Sequence, residues 1–251
     1  MKRGYIKTEA IVLRSTDYSE SDRILTLLTG THGKLSAIAR GAKRSRRRFV
    51  GSLDVICLVD VVLFRNKSME LARLDAAKLV DPYGELKGDM ERLGYASYMV
   101  ELTDEFVPPD EPNEAMFEHL KGFLGMLKSA ESVESVARFF EIRLLKLSGL
   151  MPHLTGCVCC GKTALEEKMS FITERGGLFC KDCTGQAGLE LSLGTIKTLL
   201  MAVRLPREKL HVLNTGEVFK KEARKMLSEC IKYHLGKVPR CMRFIEMVNA
   251  I

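Results

Sequence analysis

Residues 156–163 read GCVCCGKT, and these eight residues settle what kind of structure the middle of the chain can adopt. Taken as G-x-x-x-x-G-K-T, from Gly156 through Gly161, Lys162 and Thr163, they match a phosphate-binding loop inside a nucleotide-binding α/β domain. Taken as C-x-x-C-G, with Cys157 and Cys160 followed by Gly161, they are half of a metal knuckle. A phosphate loop needs a buried strand leading in and a helix leading out, because its amides must point at the phosphates from a helix N-terminus. The residues leading in, KLSGLMPHLT (146–155), contain Gly149 and Pro152 and read as a helix end, so the strand is missing.

The metal reading makes its own demand, a second thiol pair at a workable distance, and FCKDC (179–183) supplies Cys180 and Cys183. Nineteen residues separate Cys160 from Cys180, within the roughly 15 to 20 typical of C-x2-C…C-x2-C sites. Gly161 stands where a knuckle turn favours a residue free to take positive φ. A knuckle commits its amides toward sulfur and leaves none for phosphate, so the two readings exclude each other. We therefore expect one structural Zn2+ held by Cys157, Cys160, Cys180 and Cys183, with no open coordination position and no chemistry at the metal.

The remaining thiols fit blander roles. Cys159 lies within the first pair and reads as a spare thiol, while Cys57, Cys230 and Cys241 sit in apolar or helical contexts and read as core. The motifs of a zinc deaminase, H-x-E with P-C-x-x-C, do not occur, and the five histidines show no ligating spacing. Eight cysteines in a chain of 251 residues are not read as a disulfide scaffold, because a core of this size needs no staples. No apolar run reaches membrane-spanning length and the start lacks a signal-peptide apolar core, so a soluble, cytoplasmic protein with no membrane partner is expected.

Charge is segregated along the chain. Residues 1–48 hold 12 Lys and Arg against 4 Asp and Glu, whereas residues 84–151 hold 7 against 13, and residues 186–251 hold 12 against 6. Such a pattern bears on partners and steering.

Patterning divides the chain in parallel. Ile6–Leu13, Arg23–Leu28, Lys34–Ala39, Val55–Phe64 and Met69–Leu79 read as five strands, with Thr29–Gly33 and Asn66–Ser68 as turns, and suggest a small barrel or sandwich. After Asp81-Pro82 the period becomes helical: a segment near Glu85–Phe106, then Met116, Leu120, Phe123, Leu124 and Leu127, then Val136, Phe140, Leu144 and Leu147. Residues 156–185 show neither period. Helical spacing returns at Leu193–Val203 and after Asn214, which with Glu217 makes a candidate capping box. The last helix puts Lys220, Lys221, Arg224, Lys225 and Lys232 opposite its apolar face.

The run ARGAKRSRRRF (39–49) places Arg40, Lys43, Arg44, Arg46, Arg47 and Arg48 in a connection between two strands. With Arg14, Arg23 and Lys34 in the same small region, nucleic acid is the natural counterion, set against the plain alternative of a solvated loop. Only Tyr5, Tyr18, Phe49 and Phe64 offer stacking faces there, which favours sequence-tolerant binding.

The stretch AIVLRSTDYSESDRILTLLTGTHGKLSAIARGAKRS (10–45) resembles the N-terminal signature of the bacterial RecO family, and the acidic helical middle, the two C-x-x-C pairs and the basic C-terminal helices follow in that family's order. The resemblance implies an α+β chain: a five-stranded OB-fold barrel over residues 1–82, then an α-helical domain over 83–251 with a four-cysteine zinc-binding element inserted at 153–187. It implies a non-enzymatic, nucleoid-associated recombination mediator that binds single- and double-stranded DNA, anneals complementary strands and, with RecR, loads RecA onto DNA coated by single-stranded-DNA-binding protein. It maps the DNA-contacting loop onto Arg40–Arg48 and the metal ligands onto the four cysteines. The helix bearing Lys220, Lys221, Arg224 and Lys225 is a candidate dock for that coating protein's acidic C-terminal tail. Two other classes remain open on the residues themselves: a zinc-containing sequence-specific DNA- or RNA-binding regulatory factor, and a nucleotide-hydrolysing enzyme built on the GKT match.

Overall fold

The computed structural model describes residues 4–45, 47–66, 70–185 and 188–248; Arg46 and the residues 67–69, which include most of the expected Asn66–Ser68 turn, lie outside these. The order of elements is β1 (Tyr5–Asp17), β2 (Arg23–Thr29), β3 (Gly33–Ala39), β4 (Leu58–Phe64) and β5 (Ala72–Asp81), then α1 (Gly84–Lys87), α2 (Met90–Phe106), α3 (Glu114–Leu127) and α4 (Val133–Leu147). There follow β6 (Lys168–Ile172), β7 (Gly177–Phe179), α5 (Lys181–Thr184), β8 (Leu189–Ser192), α6 (Leu193–Arg204), α7 (Glu217–Leu235) and α8 (Arg240–Val248). Two compact units result, one of residues 1–130 with 240–251 and one of residues 131–239.

In the first unit β1 to β5 close a barrel in the order β1-β2-β3-β5-β4. The 13-residue β1 makes closure possible: its first half pairs with β4 and its second half with β2. A register shift between Val12 and Arg14 marks where it bends from one neighbour to the other. The parallel pairing of Ala37 with Ala72 and Ile38 with Arg73 closes the last gap. This is the OB topology. Period-two alternation explains the interior: Ala10, Val12, Leu25, Leu27, Leu35, Ala37, Val59, Val61, Leu63 and Leu74 all point inward and are buried. Phe49 and Leu53, from the connection between β3 and β4, join that core.

Helices complete this unit. Asp89 accepts from the Arg92 amide at 3.0 Å and Asn113 from the Met116 amide at 2.9 Å, capping α2 and α3. The Pro108-Pro109 break between them lies along the barrel, where Pro109 bridges to Lys34. Gly33 is required there, since its φ is +69° and a Cβ would overlap the Glu111 backbone. Helix α8 packs on α2, where Gly94 admits the Phe244 ring. The Glu101 carboxylate takes the amides of Arg240 and Cys241, each at 2.8 Å.

The second unit packs α4 against α6 and α7. Ser132 caps α4, accepting from Ser135 N at 3.3 Å. Ser192 caps α6 in the same way and is itself fixed by Glu222 of α7 at 2.8 Å. Arg143 of α4 donates to the Ala202 carbonyl at 2.6 Å and to that of Leu205, satisfying the C-terminal end of α6. Inside α4, Arg138 and Glu141 form an ion pair at 3.0 Å that is almost wholly buried.

Several expectations need correction. The strand expected at Val55–Phe64 starts at Leu58, because Ile56 takes φ +76° in the turn before it. The cap expected at Asn214 is absent: α7 begins after Gly216, and the Asn214 side chain accepts from the Gly216 amide at 3.2 Å. Residues 156–185, which show neither period, hold β6, β7 and α5, with β8 just beyond them completing the sheet β7-β6-β8, and a further helix, α8, follows the one expected to be last. The boundary expected at 82/83 marks the change from strand to helix. The first compact unit runs on past it to residue 130, because α2 and α3 lie against the barrel.

Candidate nucleic-acid interface and metal centre

The four cysteines converge. The Sγ atoms of Cys157, Cys160, Cys180 and Cys183 all lie within 4.8 Å of one another, with Cys160 and Cys180 at 3.8 Å. Sulfurs about 2.3 Å from a central ion in a tetrahedron stand about 3.8 Å apart, so the cluster has the dimensions of a four-thiolate metal site. Local structure builds it. Gly161 at φ +74° turns the first knuckle, closed by the Gly161 amide on the Cys157 carbonyl at 3.0 Å. The second pair follows β7, with the Cys183 amide on the Cys180 carbonyl at 3.0 Å.

The thiols also have the electrostatics of a cation site. Burial pushes the Cys157 thiol up, but the backbone amides of Cys160, Cys180 and Cys159 draw it down to about 6. Cys183 is held well above the ordinary thiol range, first by hydrogen bonding with Cys180 and Cys160 and then by burial. One negative charge is favoured and the next is resisted, which a dication at the centre relieves. The residues fit a metal ion.

The phosphate-loop reading of the same stretch does not survive. No strand enters at Gly156 and no helix leaves at Thr163. The amides of Cys157 and Val158 donate to Lys162 and Leu178 carbonyls, and the Lys162 ammonium stands 3.4 Å from Glu166.

The basic connection after β3 is anchored rather than loose. The Gly41 amide donates to Asp22 at 2.8 Å and the Lys43 amide to the Ser21 carbonyl at 3.0 Å, which ties the 42–44 turn to the β1–β2 turn. Further along, the Ala77 amide donates to the Arg48 carbonyl at 3.0 Å, and Phe49 is buried in the barrel. Between these anchors Arg40, Lys43, Arg44, Arg47 and Arg48 are exposed together, with Arg48 donating to the Arg40 carbonyl at 2.8 Å.

Carboxylates partition these cations. Lys43 pairs with Asp17 at 2.9 Å, Arg23 with Asp17 at 3.1 Å and Asp54 at 3.7 Å, and Arg44 loosely with Glu20 at 3.6 Å. Arg14 pairs with Asp104 and Glu105 of α2, and Lys34 with Asp104 at 3.3 Å, so these two face the helices of their own unit. Of the four aromatic rings near the basic region, Tyr18 alone is well exposed; Tyr5 and Phe64 pack edge to face at 5.2 Å.

On α7, Lys220 pairs with Glu217 at 2.7 Å and Arg224 with Glu134. Lys221 and Lys225 are exposed and have no ion-pair partner among the described residues. Two of the five cations expected along this helix are therefore paired.

Fold and site together define a chain with an OB barrel, a helical bundle and a closed four-thiolate element. Residues 1–83 match the family profile described as Recombination protein O N terminal, and residues 87–241 that of Recombination protein O C terminal. The chain belongs to the RecO family. It is 36% identical to the DNA repair protein RecO of Syntrophus aciditrophicus, covering 98% of this chain and 97% of that one. The DNA repair protein RecO of Anaeromyxobacter dehalogenans is 35% identical with 98% of each chain covered, and that of Desulforamulus reducens 36% identical over 96% and 93%. Among the described residues, no helix is long and apolar enough to cross a membrane.

Proposed function

We propose that this chain acts in recombinational DNA repair as a non-enzymatic mediator that binds single- and double-stranded DNA through its barrel and anneals complementary strands. The observation that carries this reading is the anchored connection that holds Arg40, Lys43, Arg44, Arg47 and Arg48 exposed on one barrel end. Annealing requires phosphate repulsion between two strands to be screened while base edges stay free. A cationic surface poor in exposed aromatic rings meets both conditions. Membership of the RecO family supports the same role, and with it RecR as partner, loading of RecA onto DNA coated by single-stranded-DNA-binding protein, and a place in the cytoplasm on the nucleoid.

The thiolate cluster would hold one Zn2+ through Cys157, Cys160, Cys180 and Cys183, bracing the second unit without contributing to reaction chemistry. Lys221, Lys225 and Lys232 are cations of α7 open to an acidic tail peptide, while Lys220 and Arg224 must first leave Glu217 and Glu134.

Strand annealing in the presence of the single-stranded-DNA-binding protein, run across a salt series, tests this reading. About five phosphate contacts on a single strand give log K a slope near −3.5 against log salt, or about a hundredfold loss between 50 and 200 mM. Binding that ignores salt, or that demands one base sequence, would overturn it.

A further inference from the structure

Resting on the proposed nucleic-acid binding, we infer that the strand does not stop at the basic connection but runs on across the outer wall of the barrel formed by β1, β4 and β5, where Lys7 and Lys78 contact its phosphates. A groove of about 630 Å³ lies on this wall, lined by Lys7, Glu9, Asp60 and Lys78 and overhung by Arg47 and Arg48.

The sheet register fixes the arrangement. Lys7, Val62 and Ala76 stand in one row across the three strands, and Glu9, Asp60 and Lys78 in the next outward row. With neighbouring strands about 4.8 Å apart and a rise of about 3.4 Å per residue, Lys7 and Lys78 sit at opposite corners, about 12 Å apart across β4. Val62 and Ala76 give a small apolar floor between them.

Pairing separates this groove from the other cations of the barrel, Arg40 excepted. Arg14, Arg23, Lys34, Lys43 and Arg44 all have carboxylate partners. Among the described residues, Lys7, Arg47, Arg48 and Lys78 form no ion pair. Of the two carboxylates in the lining, Glu9 is neutralised by Lys121 at 2.6 Å, which leaves Asp60 against four cations. An entering phosphate therefore displaces no internal carboxylate here.

The occupant is a nucleic-acid strand rather than a peptide. Because the barrel is closed, its backbone donors and acceptors on this wall are already paired, and an extended peptide could not add as a further strand. The floor carries no aromatic face, so it accommodates a sugar–phosphate backbone while the bases point away. Arg47 and Arg48 belong both to the connection and to the groove, which makes the path continuous.

The test is fluorescence anisotropy of a mixed-sequence single-stranded oligonucleotide with the full chain, comparing the wild type, Lys7→Ala/Lys78→Ala and Lys43→Ala/Arg44→Ala across a salt series. Losing two phosphate contacts should flatten the slope of log K against log salt by about 1.4 and weaken binding about tenfold at low salt. Equal thermal melting of wild type and variant excludes a folding defect. Unchanged affinity and slope in Lys7→Ala/Lys78→Ala, with weakened binding in Lys43→Ala/Arg44→Ala, overturns the path and leaves the proposed function standing. Absence of wild-type binding overturns both. If the Lys7 and Lys78 substitutions instead abolish binding of a fluorescent Asp/Glu-rich peptide and spare the oligonucleotide, the groove serves a protein partner and the inference fails.

Discussion

The Lys43 ammonium stands 2.9 Å from the Asp17 carboxylate, which also takes the Arg23 guanidinium at 3.1 Å. Asp17 thus occupies the position a phosphate oxygen would take between two cations of the barrel, and any polyanion reaching Lys43 has to compete with it. Hydrogen bonding from Lys43 outweighs slight desolvation and, with Arg23, holds the Asp17 carboxyl below the usual carboxylate range. Asp17→Asn should therefore bind single strands more tightly, by about three- to tenfold at low salt, with a slope steeper by up to about 0.7. Anisotropy titration checks this, and weaker binding by the variant would show that Asp17 positions Lys43 rather than masking it.

The metal centre predicts a stoichiometry. Wild-type protein purified without chelator should carry about one zinc ion per chain, and Cys160→Ser should lose it, because a closed site with three thiolates no longer encloses the ion. Elemental analysis beside thermal melting reads both consequences, and the second unit should melt earlier than in the wild type. Cys159→Ser should retain the ion, since its sulfur is outside the convergent set.

Inside α4, Glu141→Ala should destabilise the second unit by about 3–5 kcal/mol, because Arg138 then keeps a buried charge without its 3.0 Å carboxylate partner. Replacing both residues with apolar side chains of similar volume should recover much of the loss. Denaturant melts of the single and double variants check the difference.

Acid should loosen the first unit in a defined window. The Arg65 guanidinium holds Asp110 low. At Asp81, burial raises the carboxyl, but Lys128 and the Tyr83 amide together bring it below its usual range. A carboxylate with a depressed folded pKa contributes stability that is fully present above its unfolded value, about 3.9, and is lost as pH falls through the folded one. The melting temperature of the wild type should therefore drop below about pH 4. Asp81→Asn should start lower near neutrality and decline less steeply, as melting curves across pH would record.

Some of this molecule was legible in short windows of sequence. The turn signal Thr29–Gly33 between the apolar-rich segments Arg23–Leu28 and Lys34–Ala39 gave β2 and β3 nearly to the residue, since a tight Gly-containing turn between two such runs joins them as a hairpin. The 3.6-residue spacing of Met116 to Leu127 likewise gave α3. The small sheet β7-β6-β8 left no such mark because its strands are three to five residues long, too short for a period to emerge. Lys7 and Lys78 left none because each is a lone cation in an ordinary strand. Only their alternation onto the outward face could have marked them, and that signal does not tell which barrel walls are covered.

Three features follow from the order of residues alone: the two kinds of secondary structure, the change between them near residue 82, and the pairing of Cys157 and Cys160 with Cys180 and Cys183. Each rests on spacing along the chain, and spacing is a local property. Which cations are free was settled by the folded arrangement. Arg14 and Lys34 meet Asp104 across ninety and seventy residues of chain, and Lys121 returns to Glu9. A charge count cannot foresee such pairings, because Coulomb energy depends on distance in space, and that distance exists only once the barrel has closed and the helices have packed against it.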